Sequence, residues 1–202
     1  MTDIAVDSPD SDHRSGTAWV LTIGGTLGLV AAFVLTTDKI GLLKSTIDGT
    51  QKTLSCDINA FVSCSAVMDS SQSEAFGFAN SILGIIGFTV VLLLGVLLLA
   101  RVTLPSFVWL GLQAGALFGI CFVTWLQFQS IGVIGKLCPY CMLVWAVMIP
   151  IFVVVTAANL VRFAPGSLVA RFVDDWKLLI ISLWYVVVLA AIWFEFGSTL
   201  WA

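Results

Sequence analysis

The sequence predicts an all-α integral membrane protein with five transmembrane helices, from two observations. The first is bulk: of 202 residues, 59% are hydrophobic and only 10% charged, and the mean hydropathy is +1.06. Soluble domains carry about 25% charged residues. The second is punctuation. The charges divide the chain into apolar runs of the length that a hydrocarbon core of roughly 30 Å asks of a helix. The runs are continuous, not alternating, which excludes a barrel of strands.

Taken in order, residues 1–16 contain Asp3, Asp7, Asp10 and Asp12 and predict a disordered polar tail. The tail is acidic where a signal peptide would be basic, and no small-residue cleavage site follows early. The first apolar run is therefore expected to stay as an anchor, spanning about 18–36. A polar loop over 37–76 carries Cys56 and Cys64. Its start, TDKIGLLKS (37–45), suggests a short helix with Ile40, Leu42 and Leu43 toward lipid or a ligand. Further spans are predicted over about 78–100, 106–129, 138–160 and 178–196. They are joined around Arg101 and Pro105, through 130–137, and through 162–177 with its Pro165-Gly166 pair. Residues 17–200 thus make one membrane domain. Gly84, Gly87, Gly111, Gly115 and Gly119 stand at small-residue spacings that predict close helix packing. The spans hold almost no ionisable residues, which argues against an ion pathway. No basic stripe suggests nucleic acid.

Five crossings put the Cys56/Cys64 loop and the Cys138/Cys141 turn on the same side of the membrane. Arg14, Arg101, Arg162, Arg171 and Lys177 share the other side, and Lys39, Lys44, Lys52 and Lys136 share the cysteine side. All the arginines fall together, which orients the N-terminus to the cytoplasm. The four cysteines then face outward, where disulfides persist.

The Cys138-Pro-Tyr-Cys141 turn supports two readings, a redox dithiol or half of a metal site. Zinc asks for four Cys or His ligands, and His13, the one histidine, lies in the tail across the membrane; no metal is expected. A structural bridge across two residues would remove little chain entropy, so the redox reading is preferred. Cys138 stands at the start of the fourth span, where unpaired N–H groups and the helix dipole favour a thiolate. Pro139 suits the first helical turn. Cys56 and Cys64 alone fit an exposed structural bridge as well as a shuttle; a second pair on the same face favours a flexible shuttle. Cys121, inside the third span, reads as a small packing residue.

Four segments, CDINAFVSCS (56–65), FGFANSILGI (76–85), FVTWLQFQS (122–130) and LCPYC (137–141), resemble in that order the vitamin K epoxide reductase family, specifically its bacterial, DsbB-like members. The likeness covers about residues 18–160. It implies a four-helix bundle around a quinone (menaquinone or ubiquinone), with one additional helix outside. It further implies that Cys138 and Cys141 are the active pair, that Cys56 and Cys64 relay electrons to them, and that Asn80 meets a quinone carbonyl. Trp145 stands where the animal enzymes have a tyrosine against the quinone, which puts vitamin K epoxide as substrate in doubt. Some bacterial members carry a fused thioredoxin-like domain; none follows the fifth span, so a separate DsbA-like thioredoxin-fold partner is implied. The resemblance implies a bacterial inner-membrane enzyme that makes disulfides. Quinone or epoxide reduction for its own sake, or a non-enzymatic scaffold with structural bridges, are the alternatives.

The crossing count has a direct test. In intact cells with disulfides reduced, a membrane-impermeant maleimide should label the loop and turn cysteines from one and the same side. Labelling of the two pairs from opposite sides would refute the five-span reading.

Overall fold

The computed structural model describes residues 9–50, 54, 56–59 and 61–200. Among these described residues seven α-helices follow one another: α1 (Pro9–Ile47), α2 (Cys64–Met68), α3 (Asn80–Leu99), α4 (Ser106–Phe128), α5 (Pro139–Phe163), α6 (Leu168–Asp175) and α7 (Lys177–Leu200). Five of them, α1, α3, α4, α5 and α7, are long and apolar enough to cross a bilayer. Hydrocarbon offers backbone groups no partner, so an apolar run must satisfy them within its own helix.

The ends are set by local chemistry. Ser63 and Ser167 cap α2 and α6 by accepting the N–H of Ala66 and Ala170. Pro105 immediately precedes α4, and Pro139 occupies the first turn of α5. A π-helical turn over Gln129–Ile134 extends α4 and stops at Gly135, which takes a left-handed conformation (φ 63°).

Three features differ from the sequence expectation. Helix α1 begins at Pro9, within the segment read as a disordered tail, and residues 1–8 lie outside the described residues. It also does not break at the polar residues near 37. Its apolar part, Ser15–Ile47, holds 33 residues, a rise of about 50 Å against a ~30 Å core. No proline or glycine pair interrupts Thr36 to Ile40, so the helix runs on as a projection beyond the length that a crossing needs. In that projection Ile40 and Leu43 are exposed, but Leu42 is buried against the cysteines. Between α5 and α7 the expected loop contains α6, which buries Ala170 and leaves Leu168, Val169 and Phe172 exposed.

Helices α1, α3, α4 and α5 surround an apolar cavity of about 400 Å³. Helix α7 lies outside, against α5. The close crossing is between α1 and α3. A Cβ added at Gly25 would come within 2.7 Å of the Leu92 nitrogen, and one at Gly95 within 2.7 Å of the Thr22 nitrogen. Backbones touch there because only hydrogen occupies the space. The glycines singled out from spacing behave differently. Gly84 meets Ala32 and Gly119 meets Met148, but a Cβ at Gly87, Gly111 or Gly115 would meet nothing within 4 Å. All five are among the residues lining the cavity, but at these three the void itself is the neighbour. Spacing reveals a smooth helix face; it does not reveal whether a helix or a void lies against it.

The contrast is measurable. Gly25→Ala or Gly95→Ala should lower the thermal midpoint in detergent, since overpacking costs about 1–3 kcal/mol. Gly111→Ala and Gly115→Ala should leave it unchanged.

Candidate active site

The cysteines are brought together by backbone, not by their own side chains. The Leu137 N–H donates to the Phe61 carbonyl (2.8 Å), and the Ser63 N–H donates to the Leu137 carbonyl (3.0 Å). These bonds form one isolated parallel bridge, Val62 to Leu137. The next residue after Ser63 is Cys64, and the next after Leu137 is Cys138. Their sulfurs stand 3.3 Å apart, and both residues are 0% exposed.

Each strand of that bridge is held from behind. Ser130, on the π turn, donates its hydroxyl to the Lys136 carbonyl (2.6 Å), and the Lys136 N–H returns to the Ser130 carbonyl (3.2 Å). On the other side Asp57 organises the loop. Its carboxylate accepts from the Ser63 hydroxyl (2.8 Å), the Ser65 N–H (3.1 Å) and the Leu54 N–H (3.2 Å). Burial alone would raise the Asp57 pKa, but the hydrogen bonds from Ser65, Ser63 and Leu54 outweigh it and hold the group below its ordinary value. Asn59 Oδ1 closes the turn by accepting the N–H groups of Phe61 and Val62.

Cys56 and Cys64 form a disulfide, and Cys138 and Cys141 are free thiols. The loop was expected to be exposed and flexible. Cys56 is instead only 5% exposed, packed with Leu42, Leu54 and Met68. The α1 projection supplies the cover. Cys138 precedes α5 and its thiol sits below the ordinary value. The chief cause is the hydrogen bond from the Cys141 thiol. Burial opposes it, the N–H groups of Cys141 and Tyr140 support it, and the Asp38 carboxylate opposes it. Cys121 is exposed on α4, so it turns outward and does not pack in the bundle.

Cys141, Asn80 and Trp145 all line the cavity. Cys141 and Trp145 are four residues apart, hence on one face of α5. Asn80 also staples the loop. Its Nδ2 donates to the Gln72 carbonyl (2.7 Å), and its Oδ1 accepts the Ala75 N–H (3.1 Å). An amide nitrogen carries two hydrogens, so this staple engages one.

Sequence reasoning missed Lys39. It is buried and lines the same cavity. Its Nζ donates to the Met68 carbonyl (2.6 Å) and pairs with Glu74 Oε1 (2.9 Å). A signal existed: Ala32, Leu35 and Lys39 recur at helical spacing on one face, and all three line the cavity. Among the described residues no group of His, Cys, Asp and Glu could hold a metal ion.

The Asp57 network sets a pH window. A carboxylate lowered in the folded state stabilises fully above its ordinary value of 3.8, and the effect is lost as pH falls through the lower folded value. Amide protection at Ser65, corrected for intrinsic exchange, should therefore hold at neutral pH and fall only below that range. Asp57→Ala should remove it at neutral pH by about tenfold or more, since a hydrogen bond to a charged group is worth roughly 1.5–3 kcal/mol.

No curated protein matches the chain. Residues 19–156 match the sequence model of the vitamin K epoxide reductase family, a stretch that runs from α1 into α5 and contains both cysteine pairs and the cavity-lining helices. Members of that family are membrane redox enzymes, generally quinone-linked and working with thioredoxin-like partners. The chain belongs to the vitamin K epoxide reductase family and is a multi-pass membrane oxidoreductase.

Proposed function

We propose that the protein is a bacterial inner-membrane, DsbB-like oxidase that makes disulfides for extracytoplasmic proteins. It reoxidises a DsbA-like thioredoxin-fold partner and passes the electrons to a membrane quinone, menaquinone or ubiquinone. The observation that carries this reading is the 3.3 Å contact between Cys64 and Cys138, with Cys141 in the wall of an apolar cavity.

Each exchange is a thiolate attack on a disulfide, in which one S–S bond forms as another breaks. A thiolate of the partner attacks Cys56 of the Cys56–Cys64 bridge and frees Cys64. The partner's second thiol then displaces Cys56 and leaves with its own disulfide. Cys64 attacks Cys138 of an oxidised Cys138–Cys141 pair, which forms the Cys64–Cys138 bond and frees Cys141. Cys56 attacks Cys64, restores the loop bridge and releases Cys138 as a thiol. The same groups that lower the Cys138 pKa stabilise it as the thiolate released in that last step; its attack by Cys64 rests on the sulfur contact.

The cavity suits a quinone. Its walls are apolar, its size falls within the roughly 300–1,000 Å³ range of ligand pockets, and two residues whose side chains carry N–H donors, Asn80 and Trp145, are among those that line it. A quinone bound there supplies an acceptor for the two electrons and two protons released when Cys138 and Cys141 become a disulfide. Lipid is the route for such an acceptor and water the route for the partner, which accounts for a dithiol at their boundary. A DsbA-type disulfide has a potential near −120 mV, so its regeneration requires a strongly oxidising sink.

A second reading, reduction of a quinone or vitamin K epoxide as the main activity, uses the same residues in the same order. Trp145 weighs against the epoxide, since an indole donates but cannot ionise as a tyrosine can. A scaffold with purely structural bridges gives no reason for two pairs in sulfur contact.

Two variants test the oxidase. Cys64→Ala should accumulate a mixed disulfide from Cys56 to a thioredoxin-fold protein, identified by mass spectrometry. Cys141→Ser should slow oxidation of the partner by orders of magnitude. Wild-type rates in Cys141→Ser would remove the proposed quinone step, and a partner that stays oxidised when the protein is deleted from cells would remove the physiology.

A further inference from the structure

Helix α7 lies beyond the residues that match the family, yet it touches both sides of the sulfur contact. At one point it meets the active-site helix. Pro150 stands inside α5 and has no N–H, so the carbonyl four residues earlier, that of Ala146, loses its partner within the helix. The Tyr185 hydroxyl, on α7, donates to that carbonyl. Ala146 follows Trp145, and Cys141 lies just over one turn before it. A T-shaped pair, Phe152 with Trp184 (6.3 Å), seats the same two helices.

At its outer end α7 meets the loop. One face of α7 carries exposed large apolar side chains, Phe194 by 82%, as lipid-facing residues would be; Phe196 is 6% exposed. Its ring stands edge-on to the ring of Phe61 (6.0 Å, 80°). Phe61 is the residue whose carbonyl accepts the Leu137 N–H. One side chain of α7 thus bears on the strand that carries Cys64, and another on the helix that carries Cys141.

We propose that α7 is a brace for the thiol relay, with Phe196 and Tyr185 as positioning residues that hold Cys64 against Cys138. The inference rests on the relay reading above. The two fixings lie on one rigid helix about three turns apart, so they set the distance between loop and active-site helix. Neither residue reaches the sulfurs, and neither takes part in the exchange.

The quantity that the brace controls is the effective concentration of one thiol at the other. It is read in the full chain carrying Cys56→Ser, Cys141→Ser and Cys121→Ser, reconstituted in lipid nanodiscs. Cys64 and Cys138 are then the only cysteines. Equilibration with reduced and oxidised glutathione measures the balance in which the Cys64–Cys138 bond and two glutathione thiols give two protein thiols and one glutathione disulfide. Phe196→Ala should lower the effective concentration about five- to tenfold, the scale of one aromatic pair, and Tyr185→Phe about threefold. Phe196→Trp should retain most of it, and Leu189→Ala, on the lipid side of α7, all of it. Thermal midpoints are recorded for each variant, and Phe196→Leu replaces Phe196→Ala if that chain does not fold. Values for the Phe196 variant, Phe196→Ala or its replacement Phe196→Leu, and for Tyr185→Phe equal to that of the unaltered helix would overturn the brace and leave the relay standing. An equal loss in Leu189→Ala would also overturn it, because any disturbance of α7 would then suffice. Failure of Cys64 and Cys138 to join even with α7 unaltered would bring down the relay and the brace together.

Discussion

Leu137 gives its N–H to Phe61 and takes the N–H of Ser63 on its carbonyl, and the chemistry of the molecule depends on this exchange. Two buried sulfurs from distant parts of the chain have no strong attraction of their own. A pair of backbone bonds does, and it has direction. Once residues 62 and 137 are locked side by side, Cys64 and Cys138 must follow side by side. The surrounding devices serve that bridge. The π turn and Ser130 deliver Leu137 at the right height, and Asp57 gathers the three donors that would otherwise let the loop spread.

The bundle is asymmetric for a related reason. Helices α1 and α3 approach until their backbones touch at Gly25 and Gly95, whereas α3 and α4 stand apart around a void. Tight packing on one side gives the site a rigid wall. The gap on the other gives it volume. Among the described residues its polar lining gathers toward the cysteine end, where Asn80, Lys39 and Cys141 come from three helices. An apolar chamber with a few donors at one end fits a ligand with a polar head and a greasy body.

Much of this was legible in the sequence because the membrane makes the message coarse. Hydrocarbon forces long unbroken apolar runs, so five helices could be counted, and counting crossings placed Cys56, Cys64, Cys138 and Cys141 at one end. The unbroken passage of α1 through residues 37–47 was not legible, because polar residues end an apolar run without ending a helix. Nor was the burial of Cys56, which depends on Leu42 arriving from that projection. The glycines misled for a similar reason: Gly87, Gly111 and Gly115 look like packing residues until the neighbour is known to be a cavity. Pro150 removes an N–H from α5, but that the answering hydroxyl comes from Tyr185 on another helix is a fact of three dimensions. Lys39 was visible only as a charge.

The seclusion of the sulfurs has an electrical consequence. Cys64 and Cys138 present no surface, and Cys56 very little. A small thiol diffusing in the surrounding water therefore strikes them only slowly, through rare openings, although it equilibrates with them in time. On the relay proposed above, a donor would have to move the cover that α1 supplies before it met Cys56. Selectivity among electron donors would then begin with that cover, before any difference in potential is felt.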